Sequence, residues 1–176
     1  VRIDDSEVNP LDAMQTANRI AGRHGVGISN ALENRIIGTK SRGVYEAPGM
    51  TLLGYCLSQV YQATMDKRAA RLFGELSALI SRQIYEGRYF DPATSAALAA
   101  VRELAKHASG TVCVRLYRGN MYFESLKDCP GSLYNPEDAS MEESRGLNPA
   151  SSQGYAEVQS VEARALAAAK QIRLSQ

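Results

Sequence analysis

Residues 111–126 have the sequence TVCVRLYRGNMYFESL, which contains the clearest strand pattern in the chain. Two runs rich in β-branched, aromatic and other apolar residues flank a short turn of sequence RGN (118–120). Alternate side chains of the first run are apolar and would share one face of a strand. These side chains are Val112, Val114 and Leu116. The stretch therefore predicts a β-hairpin.

Helical patterns surround this hairpin, and three of them begin beside a proline, a residue favoured in the first turn of a helix. The first predicted helix covers about residues 11–22, and the last covers about 155–174. Between them we predict a long helix that begins at Pro48, a helix that contains Leu72 and Ile84, and a helix that begins at Pro92. In the first of them the positions recurring at helical spacing are Leu11, Met14, Asn18 and Ala21. The helices and the hairpin together predict an α+β fold. We predict helices packed on a small, mostly antiparallel sheet.

Residues 33–49, ENRIIGTKSRGVYEAPG, hold an unusual density of polar side chains. The alternation over 32–37 predicts a short strand on which Glu33 and Arg35 share a face, and 38–43 predicts a glycine-bounded loop. Loops of this kind on a rigid strand and helix commonly hold polar ligands. The alternative is an exposed loop with solvated charges, which composition alone favours. The polar groups are Glu33, Arg35, Lys40, Ser41, Arg42, Tyr45 and Glu46.

A second glycine-rich segment, GRHGVG (22–27), follows the first predicted helix. A dinucleotide-binding fingerprint needs GxGxxG between a strand and a helix, whereas the order here is GxxGxG after a helix. A glycine-rich helix end and bend is therefore favoured over nucleotide binding. His24 could serve as an acid or base near neutral pH, but a lone His beside glycines is more often a structural or orienting hydrogen-bonder.

The net charge and the cysteines argue against several classes of partner and of binding site. Twenty Lys and Arg against nineteen Asp and Glu leave a formal charge of +1, which favours neither nucleic acid nor an acidic membrane as partner. Three cysteines without a CxxC pair argue against a disulfide framework and a zinc site, and favour a cytoplasmic setting. The sequence also lacks a phosphate-binding GxxxxGK[ST] loop, an HExxH pair and a GxSxG elbow.

The two glycine-containing segments together, GRHGVG and ENRIIGTKSRGVYEAPG, resemble the signature stretch of argininosuccinate synthases. The resemblance continues through YEGRYFDP (85–92), LYRGNMYF (116–123) and SLYNPEDASM (132–141), and so covers the chain from near its start to Met141. It implies the C-terminal synthetase domain of such an enzyme. The family's N-terminal ATP-pyrophosphatase domain would lie outside this sequence.

The resemblance implies a ligase that joins citrulline and aspartate through a citrullyl-adenylate, giving argininosuccinate, AMP and pyrophosphate in arginine biosynthesis. ATP with Mg, and aspartate, would be bound mainly by the absent domain, so this chain alone is expected to be inactive. Two citrulline contacts carry over by position, Glu33 and Tyr45, and no catalytic, cofactor or metal residue is assigned. An ionised Glu accepts charge-assisted hydrogen bonds from N–H groups, and a Tyr hydroxyl donates or accepts. Arg35, Lys40 and Arg42 are expected to hold the loop and an interdomain surface.

The resemblance also implies a homotetramer assembled through a C-terminal helix. We expect a synthetase-like domain over 1–141, a loose connection over 142–154 that is poor in apolar residues, and an oligomerisation helix over 155–176. Spacings of three and four residues in that helix predict an apolar seam about two heptads long, although a helix packed on its own domain would show the same stripe. The seam positions are Val158, Val161, Ala165, Ala168 and Ile172.

The chain starts on Val1 rather than on a methionine, so we expect a fragment, a processed chain or a domain. Two other interpretations stay open at this stage. One is a stand-alone, non-catalytic binding or assembly module derived from this domain. The other is a relative that joins a different amine to a citrulline-like substrate.

Overall fold

The computed structural model describes residues 2–4, 6–137, 148 and 150–172, which form five α-helices and six β-strands. The chain divides into two compact units, Val1–Leu133 and Tyr134–Gln176. In chain order the elements are β1 (Arg2–Ile3), β2 (Ser6–Glu7), α1 (Pro10–Arg23), β3 (Ile28–Asn34), β4 (Lys40–Glu46), α2 (Pro48–Thr64), α3 (Lys67–Tyr85), α4 (Pro92–Leu104), β5 (Thr111–Tyr117), β6 (Asn120–Lys127) and α5 (Ala150–Ala168). The first unit contains every element except α5.

The strands confirm the α+β class. In the described residues they pair as three separate antiparallel two-stranded sheets, β1 with β2, β3 with β4 and β5 with β6, rather than as one sheet. The β5–β6 hairpin is the one that the alternating valines predicted. Its turn is tighter than expected, because Asn120 already pairs with Tyr117 and only Arg118 and Gly119 connect the strands. Both have positive φ, 47° and 80°, as a type I′ turn requires.

Helix α1 packs on α2, and the side chains that it buries are small. Its buried residues are Ala13, Ala17 and Ala21. Of the positions whose spacing predicted this helix, Ala21 is fully buried but Leu11 is 66% exposed, so the spacing identified the helix and only part of its inward face. The two helices approach closely where Asn18 Oδ1 accepts a 2.7 Å hydrogen bond from the backbone N–H of Gly49 at the start of α2, and a Cβ added to Gly49 would lie 2.9 Å from the backbone N of Asn18.

The GRHGVG segment ends α1 in the manner of a Schellman motif. The N–H of Val26 donates to the carbonyl of Ala21, the N–H of Gly25 donates to the carbonyl of Gly22, and Gly25 has a φ of 71°. Val26 is buried, and the carbonyl of His24 accepts a 2.7 Å hydrogen bond from the N–H of Gly119 in the β5–β6 turn. The structural interpretation of these glycines is therefore confirmed, and the segment joins α1 to the second hairpin.

Helices α3 and α4 pack against each other, and each has an aspartate at its N-cap position. The Asp66 carboxylate accepts hydrogen bonds from the N–H groups of Ala69 and Arg68, and these bonds lower its pKa from the ordinary value. Thr94 in α4 is fully buried, and its hydroxyl donates to the carbonyl of Arg88 over 2.9 Å. No helix among the described residues is both long enough and apolar enough to cross a membrane.

Helix α5, in the second unit, begins and ends earlier than the sequence predicted. It starts at Ala150, whose N–H donates a 3.0 Å hydrogen bond to the side-chain oxygen of Asn148. Residues 150–154 are thus helical rather than a loose connection, while 142–147 and 149 lie outside the described residues. The helix stops at Ala168, and Lys170 follows with a φ of 57°. Ile172, predicted as a seam position, therefore lies beyond the helix.

Candidate functional site

The polar stretch after residue 28 forms a hairpin whose strands differ from the predicted ones. Strand β3 is Ile28–Asn34, so the strand predicted over 32–37 starts too late, and most of the predicted loop 38–43 belongs to β4. The turn closes where the N–H of Arg35 donates to the carbonyl of Thr39 over 2.7 Å, and Gly38 has a φ of 84°. A true hairpin replaces the loop.

The register of this hairpin places the two predicted site residues on one face. The cross-strand pairs on that face are Ser29 with Tyr45, Ala31 with Gly43, and Glu33 with Ser41. Glu33 and Tyr45 are therefore offset from each other along the hairpin, with the Ala31–Gly43 pair between them.

The structure brings Glu33 and Tyr45 into direct contact despite this offset. The Tyr45 hydroxyl donates a 2.5 Å hydrogen bond to Glu33 Oε1. This hydrogen bond is the main cause that raises the pKa of Tyr45 above 10.0, with desolvation and the negative charge of Glu33 adding to it. The phenol is thus held in its neutral, hydrogen-donating form beside the carboxylate.

Arg35 and Ser41 brace the same carboxylate. Arg35 lies in the turn rather than on the predicted strand, so the expectation that it shares a strand face with Glu33 is wrong. Its side chain nevertheless reaches back, with Nε donating to Ser41 Oγ over 2.7 Å and Nη2 lying 3.7 Å from Glu33 Oε1. The Ser41 hydroxyl is 3.5 Å from the same oxygen. Glu33 is therefore fixed by three neighbours.

One oxygen of the Glu33 carboxylate is left for other contacts. Among the described residues, the hydrogen bonds to this carboxylate go to Oε1, and Oε2 accepts none. The Glu33 side chain retains 24% of its exposure and Tyr45 retains 45%. A ligand that donates hydrogen bonds through N–H groups can reach both side chains from the solvent side, because a carboxylate oxygen accepts strongly from such donors.

Lys40 and Arg42 hold the hairpin from its opposite face. Lys40 Nζ donates to Asn34 Oδ1 over 2.6 Å, and Arg42 Nε donates to Asn30 Oδ1 over 3.1 Å. Both bonds join β3 to β4, in agreement with the expectation that these residues hold the segment. The suggested interdomain role of these cations stays a prediction.

Tyr85 is a residue near the site that the sequence did not indicate. Its hydroxyl, at the end of α3, donates a 3.2 Å hydrogen bond to the backbone carbonyl of Asn34 at the end of β3. It also lies close enough to contribute to the raised pKa of Tyr45. A contact between residues so far apart in the chain has no short-range sequence signal.

The described residues were also compared with the side-chain clusters that bind metal ions in proteins. Within residues 2–4, 6–137, 148 and 150–172, no group of three or more His, Cys, Asp or Glu side chains could hold a metal ion. Cys56, Cys113 and Cys129 are all free thiols, and burial raises the pKa of Cys56.

Comparisons with known proteins agree with the resemblance noted in the sequence. The family model described as "Arginosuccinate synthase C-terminal domain" matches residues 1–166, which extends past Met141 into α5. Argininosuccinate synthase of Rhodopirellula baltica is 35% identical over 162 residues, covering 92% of this chain and 40% of that protein. Argininosuccinate synthase of Thermotoga petrophila is 38% identical over 149 residues, covering 85% of this chain and 36% of that protein.

A third relative, the argininosuccinate synthase of Geobacter metallireducens, is 34% identical over 164 residues. That match covers 93% of this chain and 40% of the relative. The chain thus spans about two fifths of the length of the curated relatives that it matches. Because the family model covers most of the chain, the chain belongs to the argininosuccinate synthase family, as the C-terminal domain of its members.

Proposed function

We propose that this chain is the citrulline-binding synthetase part of an argininosuccinate synthase. Together with an ATP-binding half, it would join citrulline and aspartate to give argininosuccinate, AMP and pyrophosphate in arginine biosynthesis. The observation that supports this most directly is the Glu33 carboxylate, which accepts from Tyr45 on one oxygen and leaves the other free within the described structure.

The chemistry of citrulline suits this arrangement. Its ammonium and ureido groups donate hydrogen bonds through N–H, and an ionised carboxylate is a strong acceptor for such donors. The Tyr45 proton is engaged by Glu33, so its hydroxyl oxygen has lone pairs left to accept a further hydrogen bond. In this proposal Glu33 and Tyr45 bind and orient citrulline, and neither moves a proton during the reaction.

ATP, Mg and aspartate are assigned to residues outside this chain. The described residues provide no cluster that could hold Mg, and the glycines of GRHGVG serve as a helix end rather than as a phosphate-binding loop. When bound, Mg-ATP would supply the adenylyl group that activates citrulline. The cytoplasmic location and the homotetramer expected from the family form part of the same proposal.

The test of this function compares the chain alone with the chain joined to an ATP-binding half from a relative. Given citrulline, aspartate and ATP, we expect the joined protein to release pyrophosphate and form argininosuccinate. We expect the isolated chain to release none, because its sequence holds no phosphate-cradling motif. Pyrophosphate release by the isolated chain would contradict the assignment of ATP to a separate ATP-binding half. Failure of a correctly folded joined protein to make argininosuccinate would favour a non-catalytic module or a different amine.

Helix α5 is proposed to be the assembly helix. Its side chains at Tyr155, Val158 and Val161 are 68%, 69% and 59% exposed, which leaves an apolar stripe open to a second copy. Removing residues 150–176 is expected to lower the mass per particle seen by light scattering, while the β5–β6 hairpin and the helices of the first unit stay folded. An unchanged mass, or loss of the remaining fold, would contradict an assembly role.

A paired set of charge variants tests the stripe itself. Val158→Glu with Val161→Glu places two charges on the stripe, and Gln159→Glu with Ala163→Glu places two on another side of the same helix. Only the first pair is expected to lower the oligomeric state. Equal effects of both pairs would assign the change to net charge or to helix stability.

A further inference from the structure

We propose that Gly43 is a positioning residue for the site, because the Tyr45 ring reaches Glu33 only by lying over a position that has no side chain. A Cβ atom added to Gly43 would lie 2.7 Å from Tyr45 Cε2 and 2.8 Å from both Cζ and Oη. Such distances are far inside van der Waals contact, and the obstructing atoms belong to a rigid ring. This role of Gly43 deepens the proposed function. Its effect on citrulline binding rests on that function, whereas its effect on the position of Tyr45 does not.

The hairpin register explains why this space is needed. Tyr45 pairs with Ser29, whereas Glu33 pairs with Ser41, so the two side chains are offset along the hairpin and not opposite each other. Side chains in a strand normally stand perpendicular to the sheet, and same-face neighbours are about 7 Å apart along the strand. To donate to Glu33, the Tyr45 ring must lean along the strand across residue 43. Any side chain there would fill the same volume.

The backbone does not supply another reason for glycine at this position. Five glycines of the described chain have a positive φ, and Gly43 is not among them, so its backbone would accept an L-residue. A glycine inside a strand weakens the strand and often marks a site of close approach. The close approach at Gly43 is that of the Tyr45 ring.

Loss of this space has a spectroscopic consequence at Tyr45. The hydrogen bond to Glu33 is the largest cause of the raised Tyr45 pKa, so a ring displaced by Gly43→Ala should titrate near the ordinary value of about 10. The pKa is raised in the folded state, so the stabilisation from this bond is fully present below about pH 10. It is lost as pH rises through the folded pKa.

The first measurement records the absorption of ionised tyrosine (phenolate) as a function of pH in the 176-residue chain. Subtracting the curve of Tyr45→Phe isolates Tyr45 from the other tyrosines. We expect the Tyr45 titration to move to lower pH in Gly43→Ala, and to stay unchanged in Gly74→Ala, where no described atom lies within 4 Å of the added Cβ. An unshifted Tyr45 titration in a folded Gly43→Ala protein would overturn the proposal.

A double-mutant cycle covers the case in which Gly43→Ala folds poorly. In a Tyr45→Ala background there is no ring to displace, so adding Gly43→Ala is expected to change the denaturation midpoint little. If Tyr45→Ala folds but the double variant does not, glycine is required by the backbone and the positioning role is wrong.

Citrulline binding separates this inference from the proposed function. In the protein joined to an ATP-binding half, Gly43→Ala should weaken citrulline by about the same factor as Tyr45→Phe. A shifted Tyr45 titration with unchanged citrulline binding would keep the positioning role of Gly43 and remove Tyr45 from the citrulline site.

Discussion

Replacing Glu33 with Gln is expected to raise the KM for citrulline at least about tenfold in the protein joined to an ATP-binding half, while the KM for ATP stays nearly unchanged. The substitution keeps the shape of the side chain and removes its charge. A hydrogen bond to a charged group contributes roughly 1.5 to 3 kcal/mol, and each 1.4 kcal/mol corresponds to about a tenfold change in affinity. The hairpin should persist, because the amide oxygen of Gln can still accept from Tyr45.

Glu46→Gln is the matched control for this variant. Glu46 belongs to the same hairpin, pairs with Ile28 on the face opposite to Glu33, and is exposed. It loses the same charge, so any general effect of charge on substrate attraction appears in both variants. Steady-state kinetics with citrulline and ATP varied separately make the comparison. An unchanged citrulline KM in Glu33→Gln, or an equal rise in Glu46→Gln, would remove Glu33 from the site.

The two main hairpins show what the sequence pattern could and could not predict. In β5–β6, Val112, Val114 and Leu116 are the partly buried side of β5, so apolar alternation marks the strand. In β3–β4 one face is also partly buried, but its residues are small or polar, and β4 carries polar residues on its other face as well. The partly buried residues are Ala31, Glu33, Ser41 and Gly43. Alternation between apolar and polar residues arises only when the buried face is lined by apolar side chains. A strand such as β4 therefore lacks the signal by which strands are recognised.

Helix positions were easier to predict than helix faces. Proline at the first turn located the starts of α1, α2 and α4. The inward face of α1 was predicted only in part: Ala21 belonged to the predicted stripe, but the equally buried Ala13 and Ala17 did not, because alanine contributes little to a hydrophobic stripe. Close approach of two helices depends on small size as well as on hydrophobicity, and a pattern based on hydrophobicity does not record size.

Part of the arrangement around Glu33 and Tyr45 could be predicted from the sequence. Glu33 and Tyr45 came from the family resemblance, and the structure adds that they touch each other. The contributions of Ser41 and Gly43 depend on the hairpin register, and that of Tyr85 depends on where α3 ends relative to β3. Neither relation can be obtained from residue type or spacing when the strands themselves are misplaced.

Gly27 is the glycine whose replacement should destabilise the fold most. It has a φ of 88°, and an added Cβ would lie 2.6 Å from Pro48 Cα, 2.7 Å from Pro48 N and 2.8 Å from Ala47 C. All three are backbone atoms at the start of α2, where the N–H of Ala47 also donates to the carbonyl of Gly27 over 2.9 Å. Relief of the clash therefore has to separate the end of the α1 segment from the start of α2.

Gly27→Ala is expected to lower the free energy of unfolding by about 3 kcal/mol or more. A left-handed backbone at an L-residue costs roughly 1 to 2 kcal/mol, and overpacking adds about 1 to 3 kcal/mol. Gly25→Ala separates the two effects, because Gly25 has a φ of 71° but no described atom within 4 Å of its added Cβ. Gly25→Ala should therefore lose only the part of the free energy of unfolding that comes from the left-handed backbone. Urea denaturation of both variants measures the difference between their free energies of unfolding, provided that the dependence of this free energy on urea concentration has a similar slope in both. Equal losses would mean that the contact with Pro48 relaxes freely and that backbone conformation alone requires glycine at residue 27.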